Sequence, residues 1–498
     1  MKKRAIVATI LILTLLVSAL TLVACGDTDT PPEEQVSFVK TDGAKIIDEN
    51  GNAIGLYGTN LGGWLVQESW LVPTDIGKEY GQIDMMIELA NRFGEDGMQE
   101  LLDVYENNWV TELDFQRIKE LGMNCVRIPF TYLNFVNAVK KVGDTYERTP
   151  YEELVVDESK FARLDWAIEM CKKYSLYAIL DMHGAVGSQS GNDHTGDIAY
   201  PGGGRLWGED ETGEICRQKT KDIWVAIANR YKRNTTVAVY DLMNEPGIKD
   251  KNGNQTTTTR THEYFDELYK AIREVDGNHI VCMESCWNFG NLPDPSKYGW
   301  ENVMYQYHHY NWASAGVANS VYYGAQITFN NLSSKGKYNV PVIIGEFNVW
   351  ADSHPDKVNA TGKQSSQTEE EAWDGVMELY CGLGWNFTTW NFKHAAEHSS
   401  WGLFNYDNSV DRMWEQANYH EQGRDCNDLG KTQLRKLCRQ HVARKLHNAS
   451  SCVFQHKRQR QPFFERNQSG KKLLYPHRRE IGVRGMSNIV GQNKLIVI

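Results

Sequence analysis

Eight short apolar runs recur between residues 53 and 390, with polar or turn-forming residues between them. They are nearly continuous in apolar character rather than alternating, which is typical of strands that are buried on both faces. The predicted strands are Ala53–Thr59, Cys125–Phe130, Tyr177–Met182, Val237–Leu242, Ile280–Met283, Val303–Tyr307, Val340–Ile344 and Phe387–Trp390.

Amphipathic segments separate most of these runs. In Thr111–Leu121 the apolar residues recur roughly on one face at helical spacing. Ser159 is predicted to cap a second helix that continues to Tyr174. The same pattern covers Cys216–Tyr231, Thr261–Val275 and Glu369–Leu383.

Alternating strands and helices indicate a parallel sheet. Eight such strands favour a closed (β/α)₈ TIM barrel, an α/β fold with the helices outside. An open doubly wound sheet is the alternative, but no glycine-rich phosphate-binding motif follows the first predicted strand.

Polar, titratable or aromatic residues close essentially every predicted strand. In a barrel the carboxyl ends of the strands form the functional face, whereas a purely structural barrel would place turn residues there. Glu284 is one of these residues, but no direct catalytic role is assigned to it. The full set is Asn60, Arg127, His183, Asn244, Glu245, Glu284, His308, Tyr310, Glu346 and Trp390.

Two of these residues are glutamates that end the fourth and seventh strands, Glu245 and Glu346. These strands face each other across a barrel, so both carboxyl groups would point into one mouth. Hydrolysis of a glycosidic bond needs one carboxyl group as acid and a second as nucleophile or base. A separation of about 5 Å would give retention, with Glu245 as acid/base and Glu346 as nucleophile.

The surrounding side chains suit that chemistry. Arg127 is expected to keep Glu346 ionised, and Tyr310 to donate a hydrogen bond to the same carboxylate. Asn244 can reach a sugar 2-hydroxyl group, a contact that strengthens in the transition state. The remaining expected sugar or carboxylate contacts come from His183, His308 and the aromatic floor Trp390. No cofactor or metal ion is predicted.

Five of these strand-end motifs together resemble glycoside hydrolase family 5. That family has the (β/α)₈ fold, retains the anomeric configuration and uses no cofactor, so the resemblance implies the same here. The match runs from about Gly55 to Asn405. The motifs are Arg127–Pro129, Asp181–Gly184, Asn244–Pro246, His308–Tyr310 and Gly345–Phe347.

Two further segments, Gly58–Val66 and Asp181–Gly191, are similar to the fungal exo-β-1,3-glucanase branch of the family. In that branch a Glu-x-Trp sequence lines the pocket for the terminal glucose, which implies that Glu68 contacts substrate. The chain departs by Val186, where the branch tends to have Pro, and by its own stretch at Asp75–Asn108. Exo and endo action therefore both stay open. The resemblance leans to β-1,3 linkages attacked from the chain end, and an endo-acting β-1,4-glucanase is the alternative, because linkage preference depends on the loops.

Charge is unevenly distributed. Residues 424–498 carry 17 Lys+Arg and 4 Asp+Glu, whereas the preceding residues carry 36 basic and 60 acidic side chains. An acidic body disfavours nucleic acid and anionic membrane as partners and suits a neutral β-glucan. The protein is expected to be a monomer. A surface protein that binds glycans without cutting them is an alternative of another class, against which the two glutamates argue.

The first residues are typical of an export signal. A basic start, Met1–Arg4, precedes an apolar stretch, Ala5–Val23, and a small residue before Cys25. This stretch resembles the signal of bacterial lipoproteins, in which the cysteine is lipidated, although a transmembrane anchor is the alternative. The prediction is a signal peptide at 1–24, a linker at 25–37, and an exported protein that meets the membrane only through a lipid on Cys25.

The catalytic domain is predicted at 38–422, and a basic tail follows at 423–498. All 15 tryptophans lie at or before Trp414, and the tail is basic and poor in helical periodicity. Three interpretations remain open: a wall-binding appendage, a disordered segment, or a slipped reading frame near residue 422. The third is preferred because the eighth barrel helix, expected near Asp411–Gly430, looks truncated.

Overall fold

The computed structural model describes residues 36–72, 81–198, 204–249, 255–256, 259–285, 291–310, 338–348, 380, 383–394 and 402–405. The predicted signal peptide, Cys25 and the basic tail lie outside the described residues, as does nearly all of the predicted helix Glu369–Leu383. In the part that is described, no helix is long and apolar enough to cross a membrane.

The strands, in chain order, are β1 (Lys40–Asp42), β2 (Lys45–Ile47), β3 (Ala53–Ile54), β4 (Tyr57–Asn60), β5 (Cys125–Thr131), β6 (Val139–Val142), β7 (Thr145–Arg148), β8 (Tyr177–Gly184), β9 (Val237–Asp241), β10 (Ile248–Lys249), β11 (Gln255–Thr256), β12 (Ile280–Glu284), β13 (Val303–His309), β14 (Val342–Phe347), β15 (Asn386–Thr389), β16 (Lys393–His394) and β17 (Phe404–Asn405). The helices are α1 (Gln82–Trp109), α2 (Glu112–Glu120), α3 (Ala162–Lys173), α4 (Glu211–Tyr231) and α5 (Thr259–Arg273).

Eight of the strands form a closed barrel in the order β4, β5, β8, β9, β12, β13, β14, β15, and β15 returns to β4. Every neighbouring pair in the barrel is parallel. The predicted (β/α)₈ barrel is therefore confirmed, and the open-sheet alternative is wrong. Because the strands are parallel, their carboxyl ends all meet at one face.

The first predicted strand begins too early in the chain. Ala53–Ile54 pairs antiparallel with β2 in a separate small sheet, and the barrel strand begins only at Tyr57. The break is made by side chains that take over the backbone donors: Asn386 Oδ1 accepts from Leu56 N–H, and Asn124 Oδ1 accepts from Tyr57 N–H, each at 2.8 Å.

The predicted cap at Ser159 is also wrong. A 3₁₀ turn, Glu158–Phe161, precedes α3, and its cap is Asp157, whose carboxylate accepts from the Ser159 N–H at 2.9 Å. A carboxylate two residues earlier outcompetes the serine hydroxyl as an acceptor for the free N–H groups.

The stretch peculiar to this chain after β4 is largely α1, which buries Tyr105 and Trp109 against the barrel. The Trp109 indole N–H donates to the Gly62 carbonyl at 3.1 Å, and the Trp64 indole N–H donates to the Glu106 carbonyl at 2.9 Å. These bonds fix the loop that follows β4, on which Glu68 lies.

Candidate active site

Glu346, near the carboxyl end of β14, is surrounded by hydrogen-bond donors. Arg127 Nη1 donates to its Oε1 at 3.0 Å, and the Tyr310 hydroxyl donates to its Oε2 at 2.9 Å. The side chain is buried, and burial raises the pKa of Glu346 to about 7, while His308 and Arg127 oppose that rise. The two donors favour the ionised form of this carboxylate.

Arg127 is fully buried at the centre of the barrel mouth. Its guanidinium contacts five oxygen atoms on four strands or their ends, which a planar fork of N–H groups can do and an ammonium group cannot. It donates hydrogen bonds at 2.8 to 3.0 Å to Asn60 Oδ1, Asp241 Oδ2, Asn244 Oδ1 and Glu346 Oε1, and its Nη2 forms an ion pair with Asp181 Oδ1 at 3.0 Å.

Glu245 follows β9 and has a left-handed backbone, with φ of +43°. Its N–H donates to Glu284 Oε2 at 2.9 Å. On its side chain, Oε1 lies 2.8 Å from His308 Nδ1, and Oε2 lies 3.8 Å from His194 Nε2. Burial raises the pKa of Glu245, and His194 and Arg127 oppose the rise.

The two glutamates share one small space. Ligand-type atoms of Glu245, His308 and Glu346 all lie within 4.8 Å of one another. Retaining glycosidases hold their carboxyl groups about 5–5.5 Å apart, whereas inverting enzymes need about 6.5–9.5 Å. The three groups are spaced closely enough for a metal ion, but Arg127 and Tyr310 already donate to the two Glu346 oxygens. We assign no metal to them.

His183 and Trp390 form one wall of this space. Their rings stack at 5.2 Å between centroids and 8° between planes. The Asp181 carboxylate, 2.7 Å from His183 Nδ1, orients the imidazole, and His183 Nε2 lies 3.9 Å from Glu346 Oε1. Burial lowers the pKa of His183 well below its usual value, so the ring stays neutral.

Glu68 lies close enough to Glu245 and Glu346 for their charges to raise its pKa. Its Oε2 accepts from the Trp70 indole N–H at 2.8 Å, and the side chain is buried. Burial raises the pKa of Glu68 well above its usual range, and Asp193, Glu346 and Glu245 raise it further. The loop after β4 thus places its glutamate with the strand-end residues.

The structure also separates the two neighbouring histidines. His308 faces the glutamates, whereas His309 Nδ1 lies 2.9 Å from the Tyr380 hydroxyl in the packing outside the strand. Alternation of side chains along β13 explains the difference.

Two residues at the site were missed in the sequence. His194 lies in the loop after β8, and Gln189, in the same loop, donates through Nε2 to the carbonyls of His183 and Asn244, each at 2.7 Å. Both lie several residues beyond the end of β8, so a search of the residues directly after each strand does not find them. Their loop, Asp181–Gly191 and beyond, was noted only for its similarity to a family branch.

Comparison with known families agrees with this geometry. The family model for cellulase (glycosyl hydrolase family 5) matches residues 90–396. Relatives include a β-xylosidase of Phanerodontia chrysosporium, 28% identical over 55% of this chain and 52% of that protein. A probable glucan 1,3-β-glucosidase A of Aspergillus fumigatus is 29% identical over 54% of this chain and 58% of that protein. The chain thus spans little more than half the length of these relatives.

A longer alignment covers 68% of this chain and 83% of a probable glucan 1,3-β-glucosidase A of Aspergillus clavatus, at 28% identity. Among solved structures, a rutinosidase from Aspergillus niger has a TM-score of 0.52 at 16% identity, covering 74% of this chain and 97% of that one. That likeness concerns the fold alone. With the family model matched over more than half of its residues, the chain belongs to glycosyl hydrolase family 5.

Proposed function

We propose that the protein is a retaining hydrolase of β-D-glucans, with Glu346 as nucleophile and Glu245 as acid/base. The observation that carries the proposal is the unequal surroundings of two adjacent carboxyl groups. His308 Nδ1 lies 2.8 Å from Glu245 and 3.4 Å from Glu346, but Glu346 also receives hydrogen bonds from Arg127 and Tyr310. One carboxylate is thereby prepared to attack and the other to carry a proton.

In the first step Glu346 attacks the anomeric carbon, and the bond to the leaving oxygen breaks as Glu245 protonates that oxygen. In the second step Glu245 removes a proton from water, whose oxygen displaces Glu346 from the anomeric carbon. Asn244, held through Oδ1 by Arg127, retains its amide N–H groups for the sugar 2-hydroxyl. The first step leaves Glu245 ionised and Glu346 as a glycosyl ester, and the second step returns the proton to Glu245 and frees the Glu346 carboxylate, as at the start.

The substrate class rests on the relatives and on the loop after β4. The names of several relatives specify glucan 1,3-β-glucosidase activity for those proteins. Glu68, buried beside the pair, supports a pocket that binds a terminal glucose, and so favours β-1,3-glucan attacked from the chain end. An endo-acting β-1,4-glucanase is the second candidate, because the matching family model is described as cellulase.

We also propose that the protein is exported and tethered through Cys25. The basis is the order of basic, apolar and small residues before that cysteine.

The product profile on laminarin and on cello-oligosaccharides tests the function. Glucose alone from laminarin supports exo action on β-1,3 linkages, and mixed cello-oligomers support the second candidate. Proton NMR of the first product should show the β-anomer, and an initial α-anomer would contradict retention. An absence of turnover on laminarin, lichenan, carboxymethylcellulose and aryl β-glucosides would contradict the enzyme and leave a glycan-binding protein.

Glu346→Ala separates catalysis from binding. We expect it to abolish hydrolysis while laminarin-oligosaccharide binding, measured by calorimetry, is largely kept. Glu169→Ala, at an exposed position of α3, is the matched control and should keep full activity.

A further inference from the structure

Glu284 ends β12 directly beneath the proposed acid. It is fully buried, and its Oε2 accepts from the Glu245 N–H at 2.9 Å and from Gln306 Nε2 at 3.0 Å. His308 Nε2 lies 3.5 Å from the same oxygen. We propose that Glu284 is the positioning residue of the proton donor: it holds the backbone of Glu245 and selects the tautomer of His308 that keeps the proton on Glu245. This rests on the proposed function.

The first part of the argument concerns the backbone. A glutamate at φ of +43° is strained and persists only where neighbouring groups hold it. Pro246 follows, which adds a steric restriction on Glu245. The Glu245 N–H is held by Glu284 Oε2, so removal of that acceptor releases the strained residue that aims the acid.

The second part concerns His308, which lies between the two glutamates. Burial lowers the pKa of His308 to about 4, so the imidazole is neutral and carries one N–H group. Oε2 of Glu284 accepts from two N–H donors, so it is an acceptor whether the carboxyl is ionised or carries a proton on Oε1. His308 Nδ1 lies 2.8 Å from Glu245 Oε1 and 3.4 Å from Glu346 Oε2, and the Glu346 oxygens already accept from Arg127 and Tyr310. We therefore place the N–H of His308 on Nε2, which lies 3.5 Å from Glu284 Oε2.

With its proton on Nε2, His308 presents the lone pair of Nδ1 to Glu245 Oε1 at 2.8 Å. A lone pair at that distance stabilises the protonated carboxyl of Glu245, which is the form a general acid needs. The other charged groups near Glu284 are Asp241 on β9 and Arg127 on β5, which are paired with each other. They fix the local charge without contacting the Glu245 side chain.

The test compares Glu284→Leu with Glu284→Gln on two aryl β-glucosides. Phenol needs protonation to depart, whereas 2,4-dinitrophenolate does not. With general acid catalysis contributing 10²–10⁴-fold, Glu284→Leu should lower kcat/KM on the phenyl glucoside about 100-fold and on the dinitrophenyl glucoside less than about threefold. Glu284→Gln keeps an acceptor oxygen for the Glu245 N–H and should stay within about threefold of the wild type on both.

Tyr240→Phe is the matched control, because it removes a buried hydroxyl from β9 that bonds to Asp276 rather than to the glutamates. It should show no dependence on the leaving group. Equal losses on both glucosides in Glu284→Leu would overturn the proposal, as would a Glu284→Gln protein as impaired as Glu284→Leu. If the leucine variant does not fold, Glu284→Asp supplies the same comparison. A wild type inactive on both glucosides would instead contradict the proposed function itself.

Discussion

At the scale of the residue, Arg127 shows how one side chain both stabilises the fold and prepares the site. It is the buried counter-charge for Asp181, Asp241 and Glu346. Its removal would leave three buried carboxyl groups without their cation. A buried ion pair broken on one side is far more destabilising than a pair at the surface.

Arg127→Met should therefore lower the free energy of unfolding by about 3–5 kcal/mol. Urea denaturation followed by circular dichroism measures this. Arg230→Met is the control, since Arg230 pairs with Asp165 and Glu158 at the surface of the barrel and its loss should lower stability by about 0–1 kcal/mol. A loss below about 1 kcal/mol for Arg127→Met would contradict the role we assign to it.

The raised pKa values of the glutamate pair predict a pH profile. Glu245 is active as an acid when protonated, so a pKa raised by burial extends its activity upward and activity falls as pH rises through that pKa. Glu346 acts when ionised, so its pKa, raised to about 7, sets the acidic side of the profile, and activity should rise as pH increases towards about 7. The measurement is kcat/KM on an aryl β-glucoside from acid to alkaline pH, and a profile still rising beyond pH 8 would contradict it.

Much of this site could be predicted because the functional residues of a barrel lie at or directly after the carboxyl ends of its strands. Glu245, Glu346 and Tyr310 were found in that way, whereas Arg127 lies within β5 and was found as a charged residue in an apolar run; the structure brings the four together. His194 was not, since it lies deep in a loop whose course depends on long-range contacts. The left-handed backbone of Glu245 was equally hidden, because no glycine or asparagine marks it.

At the scale of the element, the strands were easier to predict than their ends. Continuous apolar runs identify strands that are covered on both faces, which is why all eight barrel strands were found. The start of β4 was misplaced because Asn386, which is far away in the sequence, accepts the hydrogen bond from Leu56. The cap of α3 was misplaced because Asp157, two residues before Ser159, accepts the deciding hydrogen bond.

Gln189 connects the ends of two barrel strands. It donates to the carbonyls of His183, near the end of β8, and of Asn244, after β9, and it accepts from the Ala185 N–H at 3.0 Å. Gln189→Leu would leave these buried groups without their partner and let Asn244 and Glu245 move.

We expect Gln189→Leu to lower the free energy of unfolding by about 1–3 kcal/mol and kcat/KM by as much as about 100-fold, because small displacements of reacting groups are costly. Thermal unfolding and kinetics on an aryl glucoside measure the two effects. Gln99→Leu on α1 is the control, as Gln99 makes an exposed bond to Asp103. Unchanged kinetics in Gln189→Leu would show that the strand ends hold their positions without it.

At the scale of the whole molecule, the proposal of export places the acidic barrel outside the cell. Cys25→Ser should move the protein from the membrane fraction to the soluble fraction of an expressing bacterium and abolish incorporation of a labelled fatty acid. Cys171→Ser, at a free buried cysteine of α3, controls for the substitution. Fatty-acid labelling of the Cys25→Ser protein would contradict lipidation at that position.

The basic segment after residue 422 is a separate prediction about the chain. If the reading frame slips there, mass spectrometry of the natural protein should find no peptide from Leu473–Arg484. Detection of such a peptide would contradict the frame slip and leave a wall-binding or disordered appendage to be tested.

The stacked rings of His183 and Trp390 also give the site a fluorescence signal. A neutral imidazole quenches indole emission weakly, and His183 is held neutral by burial. The emission of Trp390 should therefore be steady across the working pH range and change when a sugar binds beside it. The difference in fluorescence between the wild type and Trp390→Phe would then report occupancy directly, in a protein whose substrate itself carries no chromophore.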